Sequence, residues 1–293
     1  MIQARIPSAG YCIYCGAKVY SDDRKKLGDE HIIPFSLEGE LVFLEASCLS
    51  CERVTGRFES KLLRNTLLAT RVNLNLRSRN SALSQTKALP LFVDTVAGVQ
   101  KVLVNTEDYP TVLHLPYLPD PPIVSEIGNL GPTEYPPRPF TKFLNYNKEI
   151  LNKKYGLSNW NHVSLDNRLL CRLVAKIAHG WCIANKKVTE YTPILDNMII
   201  DPNLESRELL SFVGGTPPEP KTPKELHQIR AKIFPVEGID FIVVNVRLFA
   251  FLGTPTYSVV SGIMGDIPKN GLPNCSARTK GLPNFSRISI PAY

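Results

Sequence analysis

Cys12-Ile13-Tyr14-Cys15, then Gly28-Asp29-Glu30-His31-Ile32-Ile33-Pro34, then Ala46-Ser47-Cys48-Leu49-Ser50-Cys51: these three runs decide how the chain is read. Two Cys-x-x-Cys pairs set well apart are the signature of a tetrahedral zinc site, each pair gripping the ion from one knuckle turn. Gly16, directly after Cys15, suits such a turn, where a positive φ is often needed. One pair alone would fit a redox dithiol; two favour zinc. A zinc held by four thiolates is usually a staple rather than a catalyst, so the chemistry is sought between the knuckles. There Glu30 and His31 read as a strand end carrying a carboxylate and an imidazole. A Gly-containing loop and a short strand over Leu41–Leu44 follow.

A helix is predicted to leave the second knuckle. Arg53, Arg57, Lys61 and Arg64 recur on one of its faces, while Val54, Phe58 and Leu62 recur on a neighbouring one. Between Arg53 and Lys87 the chain carries eight basic residues against the one acid Glu59. A basic face is often only solvated, but beside a zinc site and an acid–histidine pair it points to phosphate contact.

The remaining composition sets bounds. At 293 residues, 43% apolar and 21% charged, the chain can bury a sizeable core. Seven cysteines over this length do not make a disulfide-stapled secreted scaffold. The net charge of +7 permits an anionic partner without demanding one. Met1 to Gly10 lack the apolar core of a signal peptide. The most apolar stretch, Ile239 to Leu252, is broken by Asp240, Asn245 and Arg247 and is too short to span a bilayer. A cytoplasmic protein without a membrane partner is expected.

Beyond the knuckles, Leu91–Val93 and Val99–Val104 are predicted as short strands around a turn at Ala97-Gly98, ahead of a proline-dense stretch from Pro110 to Pro139. Lys142 to Lys154 is a short basic segment. Ser164 and Asp166 offer N-caps to the strongest helix, whose stripe is Leu169, Leu170, Leu173, Val174, Ile177, Ala178, Trp181 and Cys182. Arg168, Arg172 and Lys176 are expected to face elsewhere, and His179, Cys171 and Cys182 to be satisfied core residues. Leu226, Ile229 and Ile233 predict a short helix behind Thr222-Pro223. Ile239 to Leu252 alternates as a strand, and the breaker Gly253-Thr254-Pro255 leads to Tyr257–Met264 as its hairpin partner. The tail repeats Gly271-Leu272-Pro273-Asn274-Cys275-Ser276 as Gly281-Leu282-Pro283-Asn284-Phe285-Ser286, and reads as a flexible end with Cys275 a free thiol. The expected division is a zinc-knuckle domain over 1–80, a Pro-rich connector over 81–160, an α+β domain over 161–265 and a tail over 266–293.

Taken together, Cys-x-x-Cys, Glu-His-Ile-Ile-Pro, a Gly-containing loop and Ala-Ser-Cys-x-x-Cys entering a helix resemble the HNH endonuclease family. The resemblance covers roughly residues 10–65. It implies an α+β fold whose N-terminus is a treble-clef-like ββα-metal finger, followed here by a helix packed on an antiparallel sheet. It implies metal-dependent hydrolysis of phosphodiester bonds in nucleic acid, with DNA favoured over RNA. Cys12, Cys15, Cys48 and Cys51 match the structural zinc ligands, His31 the general base, and Glu30 the acid holding a catalytic divalent cation such as Mg²⁺ or Mn²⁺. Arg53, Arg57, Lys61 and Arg64 would bind nucleic acid. Two positions depart from the family pattern. Glu40 stands where an Asn usually orients the histidine, and Glu52 stands in the helix-ligand slot commonly held by His or Asn. Glu40 could accept a hydrogen bond from the His31 ring, and Glu52 could still bind metal through oxygen. The rival reading is a zinc-stapled nucleic-acid-binding or adaptor protein without turnover. A third places the chemistry in the C-terminal segment. Bacterial and phage proteins with this kind of finger are similar there too, in Val174-Ala175-Lys176-Ile177-Ala178-His179 and Leu252-Gly253-Thr254-Pro255-Thr256-Tyr257, with no activity implied. Oligomeric state is not legible in the sequence.

Overall fold

The computed structural model describes residues 4–79, 86–96, 98–124, 139–160, 166–185, 190–201, 203, 206–216 and 223–267. The tail duplication with Cys275, the Ser164 cap, Ala97 and much of the proline-dense stretch lie outside the described residues. The fold is mixed α+β.

Strand β1 (Ala4–Ile6) runs parallel to β3 (Leu41–Ser47), and β2 (Gly28–His31) pairs antiparallel on the other side of β3. The ladder pairs Glu30 with Phe43 and His31 with Val42, but slips between Gly28 and Glu30. Across that slip Glu45 adopts a φ of +48° and its N–H donates to the Asp29 carboxylate at 3.0 Å. Such irregularities re-aim side chains at a strand end, here at Asp29, Glu30 and His31. Between the strands, a 3₁₀ turn over Phe35–Leu37 closes on Glu38 in the left-handed region and on Gly39. A Cβ on Gly39 would meet the Ile33 carbonyl oxygen at 1.7 Å, so only glycine fits.

Helix α1 (Leu49–Lys61) starts at Cys48, runs through a π turn over Leu62–Thr66 and leads to α2 (Leu68–Asn73). The basic face is as expected: Arg53, Arg57, Lys61 and Arg64 are exposed, while Phe58 and Leu62 are buried. A second hairpin follows, β4 (Ala88–Thr95) with β5 (Gly98–Asn105), and then a third, β6 (Thr111–Leu115) with β7 (Phe140–Asn145). Asn147 caps α3 (Lys148–Tyr155), accepting from the N–H groups of Glu149 and Ile150. Leu151, Leu157 and Trp160 close a small core on Leu91 and Val104 of the β4–β5 hairpin.

Asp166 caps the long helix α4 (Asn167–Ala184), accepting from Arg168 and Leu169 N–H. Its stripe, with Leu170, Leu173, Val174 and Ile177 fully buried, packs on the last sheet. Each such side chain contributes about 2 kcal/mol relative to exposure. That sheet collects β8 (Tyr191–Pro193), β9 (Val213–Gly215), β10 (His227–Val236), β11 (Ile239–Leu248) and β12 (Tyr257–Met264), in the order β10-β11-β12-β8 with β9 also on β12. Short helices α5 (Asp196–Ile200) and α6 (Ser206–Phe212) lie between β8 and β9.

The helix expected over Leu226–Ile233 is instead β10, an edge strand. Its pairing with the buried β11 outweighs the chance helical spacing of three apolar residues. The turn joining them is Glu237-Gly238, both with positive φ (51° and 78°), as a two-residue hairpin turn requires. A second correction concerns α4: Arg172 and Lys176 do not face away from the core but are buried within it, Lys176 to 1% exposure. One hydrophobic cluster takes in Cys12, Tyr14, Phe43, Phe58 and Leu62 together with the α4 stripe and β11–β12. Among the described residues no helix is long and apolar enough to cross a membrane.

Candidate functional site

The four knuckle cysteines converge. The sulfurs of Cys12, Cys15, Cys48 and Cys51 all lie within 4.8 Å of one another, with Cys15 and Cys48 at 3.6 Å. A tetrahedral ion with Zn–S bonds near 2.3 Å would hold its sulfurs about 3.8 Å apart, so the cluster can hold a zinc ion. The first knuckle closes through Gly16 N–H on the Cys12 carbonyl at 2.8 Å, with Gly16 at φ +75°. The second closes through Glu52 N–H on the Cys48 carbonyl at 2.9 Å, the first turn of α1. The Cys51 thiol beside it pushes the Cys12 thiol down to about 4, while Cys51 itself is pushed up.

Helix α4 braces this staple. His179 is fully buried, its Nε2 donates to the Ile13 carbonyl at 2.7 Å, and its ring stacks on Tyr14 at 5.6 Å.

Beside the staple, β2, the 35–39 turn and α1 enclose a cleft of about 650 Å³. Asp29, Glu30, His31, Glu52 and Glu59 line it with Arg64, Arg71 and Arg79. His31 is half-buried and sits edge-on to Phe35 at 5.6 Å. Its Nδ1 is buried, and the residue lines the cleft. Burial, then the charges of Arg79 and Lys176, lower the pKa of the ring. Phe35 carries Arg77 at 4.8 Å and Arg79 at 5.5 Å over its face. Arg77 also pairs with Glu38 and so pins the turn.

Of the residues singled out in the sequence, the structure brings His31, Glu30, Glu52 and Arg64 to this one cleft. Glu52 fits there because Gly28 has no side chain: a Cβ would lie 2.7 Å from Glu52 Oε2. Glu40 is not brought in. It is exposed at the start of β3, outside the cleft lining, and it is the backbone of Gly39 that lies against the His31 ring and favours its protonated form. Arg53 and Arg57 are exposed on α1 but do not line the cleft, and Lys61 pairs with Asp166 at 3.8 Å.

Four residues were missed. In the sequence Glu59 stands out only as the odd acid in a basic run. Arg71 is buried and donates to the carbonyls of Ser36, Leu63 and Arg77, so it is a strut under the cleft. Arg79 is exposed, lines the cleft and acts by its charge on the His31 ring. Lys176 reaches in from α4, its Nζ 2.5 Å from Glu30 Oε1, 2.7 Å from Glu59 Oε1 and 2.6 Å from the His31 carbonyl. Burial alone would lower the pKa of this ammonium, but Glu30 and Glu59 hold it raised. Burial raises the Glu30 carboxyl against the pull of Lys176.

No family model matches the chain, and neither a curated protein nor a solved structure does.

Proposed function

We propose that the chain is an HNH-type nuclease that hydrolyses phosphodiester bonds in nucleic acid, with DNA as its substrate. The observation that carries this reading is the composition of one cleft: an imidazole, a row of carboxylates and a set of arginines, beside a four-cysteine staple. His31 accepts a proton from water as general base. Glu30, Glu52 and Glu59 offer hard oxygen donors, which suit Mg²⁺ or Mn²⁺ with water and substrate phosphate completing the shell. When bound, such a cation neutralises charge on the scissile phosphate and the leaving oxygen. Arg64 and Arg79 hold the phosphates on either side, and Arg71 keeps the turn carrying Phe35 in place.

One observation favours the rival adaptor reading: a carboxylate oxygen of Glu30 is already occupied by Lys176. The same experiment separates the two. Plasmid and a labelled duplex are incubated with the chain and Mg²⁺ or Mn²⁺, with and without chelator, beside His31→Ala. Metal-dependent cutting lost in the variant supports the nuclease. Duplex binding with no cutting in either protein supports the adaptor, and cutting that survives His31→Ala moves the chemistry elsewhere.

A further inference from the structure

A buried lysine is costly unless its charge is paired and its donors are all used. Lys176 is paired with two carboxylates, Glu30 and Glu59, and donates a hydrogen bond to the His31 carbonyl, all at one spot. An ammonium has three protons, and three acceptors lie within 2.7 Å: Glu30 Oε1, Glu59 Oε1 and the carbonyl of His31 itself. The acceptors come from β2 and α1, two of the elements that line the cleft, and the donor comes from α4, far away in the chain. Without the cation, two carboxylates would face each other in a buried site, where one of them would take up a proton or swing away. With it, one oxygen of each is tied and the backbone that carries the imidazole is tied as well.

We propose that Lys176 is a positioning residue of the cleft, a three-point anchor that sets the distance between β2 and α1 and fixes the orientation of His31. It touches no substrate. It acts through Glu30, Glu59 and the His31 backbone, and it gives α4 a part in the chemistry. The effect on turnover rests on the nuclease reading; the anchoring of His31 does not.

The test uses the full chain as Lys176→Arg, Lys176→Met and Glu59→Gln, each checked for bound zinc and native far-UV dichroism. Arginine keeps the charge, but its planar fork does not present three converging protons. Glu59→Gln removes one charged acceptor and leaves the Lys176–Glu30 pair, so it reports even where Lys176→Met fails to fold. Two readouts are taken. The first is kcat and KM for duplex cleavage with Mn²⁺. The second is the His31 ring signals in long-range ¹H–¹⁵N spectra at a single pH, assigned with His31→Gln. We expect kcat in Lys176→Arg to fall roughly 10- to 100-fold, the size of a misplaced catalytic group, with KM unchanged. The His31 ring signals should move in all folded variants. Wild-type kcat in folded Lys176→Arg would overturn positioning, because it would leave only charge neutralisation. If the wild-type chain cuts no nucleic acid, the nuclease reading fails by itself and the ring signals decide. Signals that move in Glu59→Gln and Lys176→Arg support the anchor, and signals that stay in place overturn it.

Discussion

His227 Nε2 donates to the carbonyl of Leu37 at 2.6 Å, joining the first residue of β10 to the turn that packs under His31. The other ring nitrogen, Nδ1, accepts from Phe249 N–H at 3.1 Å. Only the Nδ1 contact demands the neutral ring, since the Nε2 donation is made by either form. Burial pushes its pKa down to about 4, against the smaller opposing pull of the Leu37 carbonyl and Glu38.

The sign of the resulting pH dependence follows. Above the unfolded value near 6.5 the ring is neutral in both states and the stabilisation is complete. Between about 6.5 and 4 the unfolded chain binds a proton that the folded chain does not, so stability falls, by on the order of 3 kcal/mol in all. Denaturant midpoints at pH 7.5 and 4.5 should therefore differ more in the wild type than in His227→Gln. Equal differences would show that this ring does not titrate between the two states.

Removing one knuckle ligand should remove the staple. Cys48→Ser leaves three sulfurs around a site whose metal contributes about 10 kcal/mol or more in comparable fingers. The expected outcome is one zinc per wild-type chain by metal analysis and none in the variant. A strong chelator should lower the wild-type melting temperature, and an unchanged one would mean that the cluster stays empty in solution.

Two glycines should respond in opposite ways. In Gly39→Ala the new methyl meets a backbone oxygen at 1.7 Å and the turn must shift, a cost of about 2–3 kcal/mol or more. In Gly28→Ala it meets the mobile end of Glu52 at 2.7 Å, so stability should hold within about 1 kcal/mol while the carboxylate is displaced. Paired thermal melts and Mn²⁺ titrations check this: a stability loss for Gly39→Ala, a weakened cation response for Gly28→Ala.

Cleft arginines should matter more than those elsewhere on α1. Arg64→Ala and Arg79→Ala should each reduce duplex affinity and lower the slope of log K against log salt by about 1. Lys61→Ala should change that slope little, since its charge already faces Asp166. Fluorescence anisotropy across a salt series gives the slopes. A larger effect from Lys61 than from Arg64 would put the nucleic acid on the other side of the helix.

What was legible in the sequence follows its local character. The knuckles, the Glu30–His31 strand end and the basic helix are set by spacings of a few residues, and the structure brings the cysteines together as those spacings imply. The Asp166 cap and the β4–β5 and β11–β12 hairpins were legible for the same reason. Helical periodicity sorts residues by face only when a helix has one dry side. Helix α4 lies between the last sheet and the finger, so Lys176 and Arg172 look solvated on a helical wheel and are buried in fact. The Glu40 slot misled because a strand alternates: with His31 opposite Val42, Glu40 falls beyond the ladder and the ring meets the backbone of Gly39. The strand β10 was masked by apolar residues at the wrong period, though Glu237-Gly238 was a usable turn signal.

The contacts of α4 bear on anyone who would transplant the four-cysteine segment. A graft of the first eighty or so residues onto another scaffold would carry both knuckles, the imidazole and the arginines. It would leave behind the ammonium at position 176 and the ring at position 179, which hold the cleft walls and the first knuckle from outside. The portable unit is discontinuous, the N-terminal segment together with one distant helix, and a chimera that omits that helix should expose the apolar face of Tyr14, Phe43 and Phe58 and leave the cleft unset.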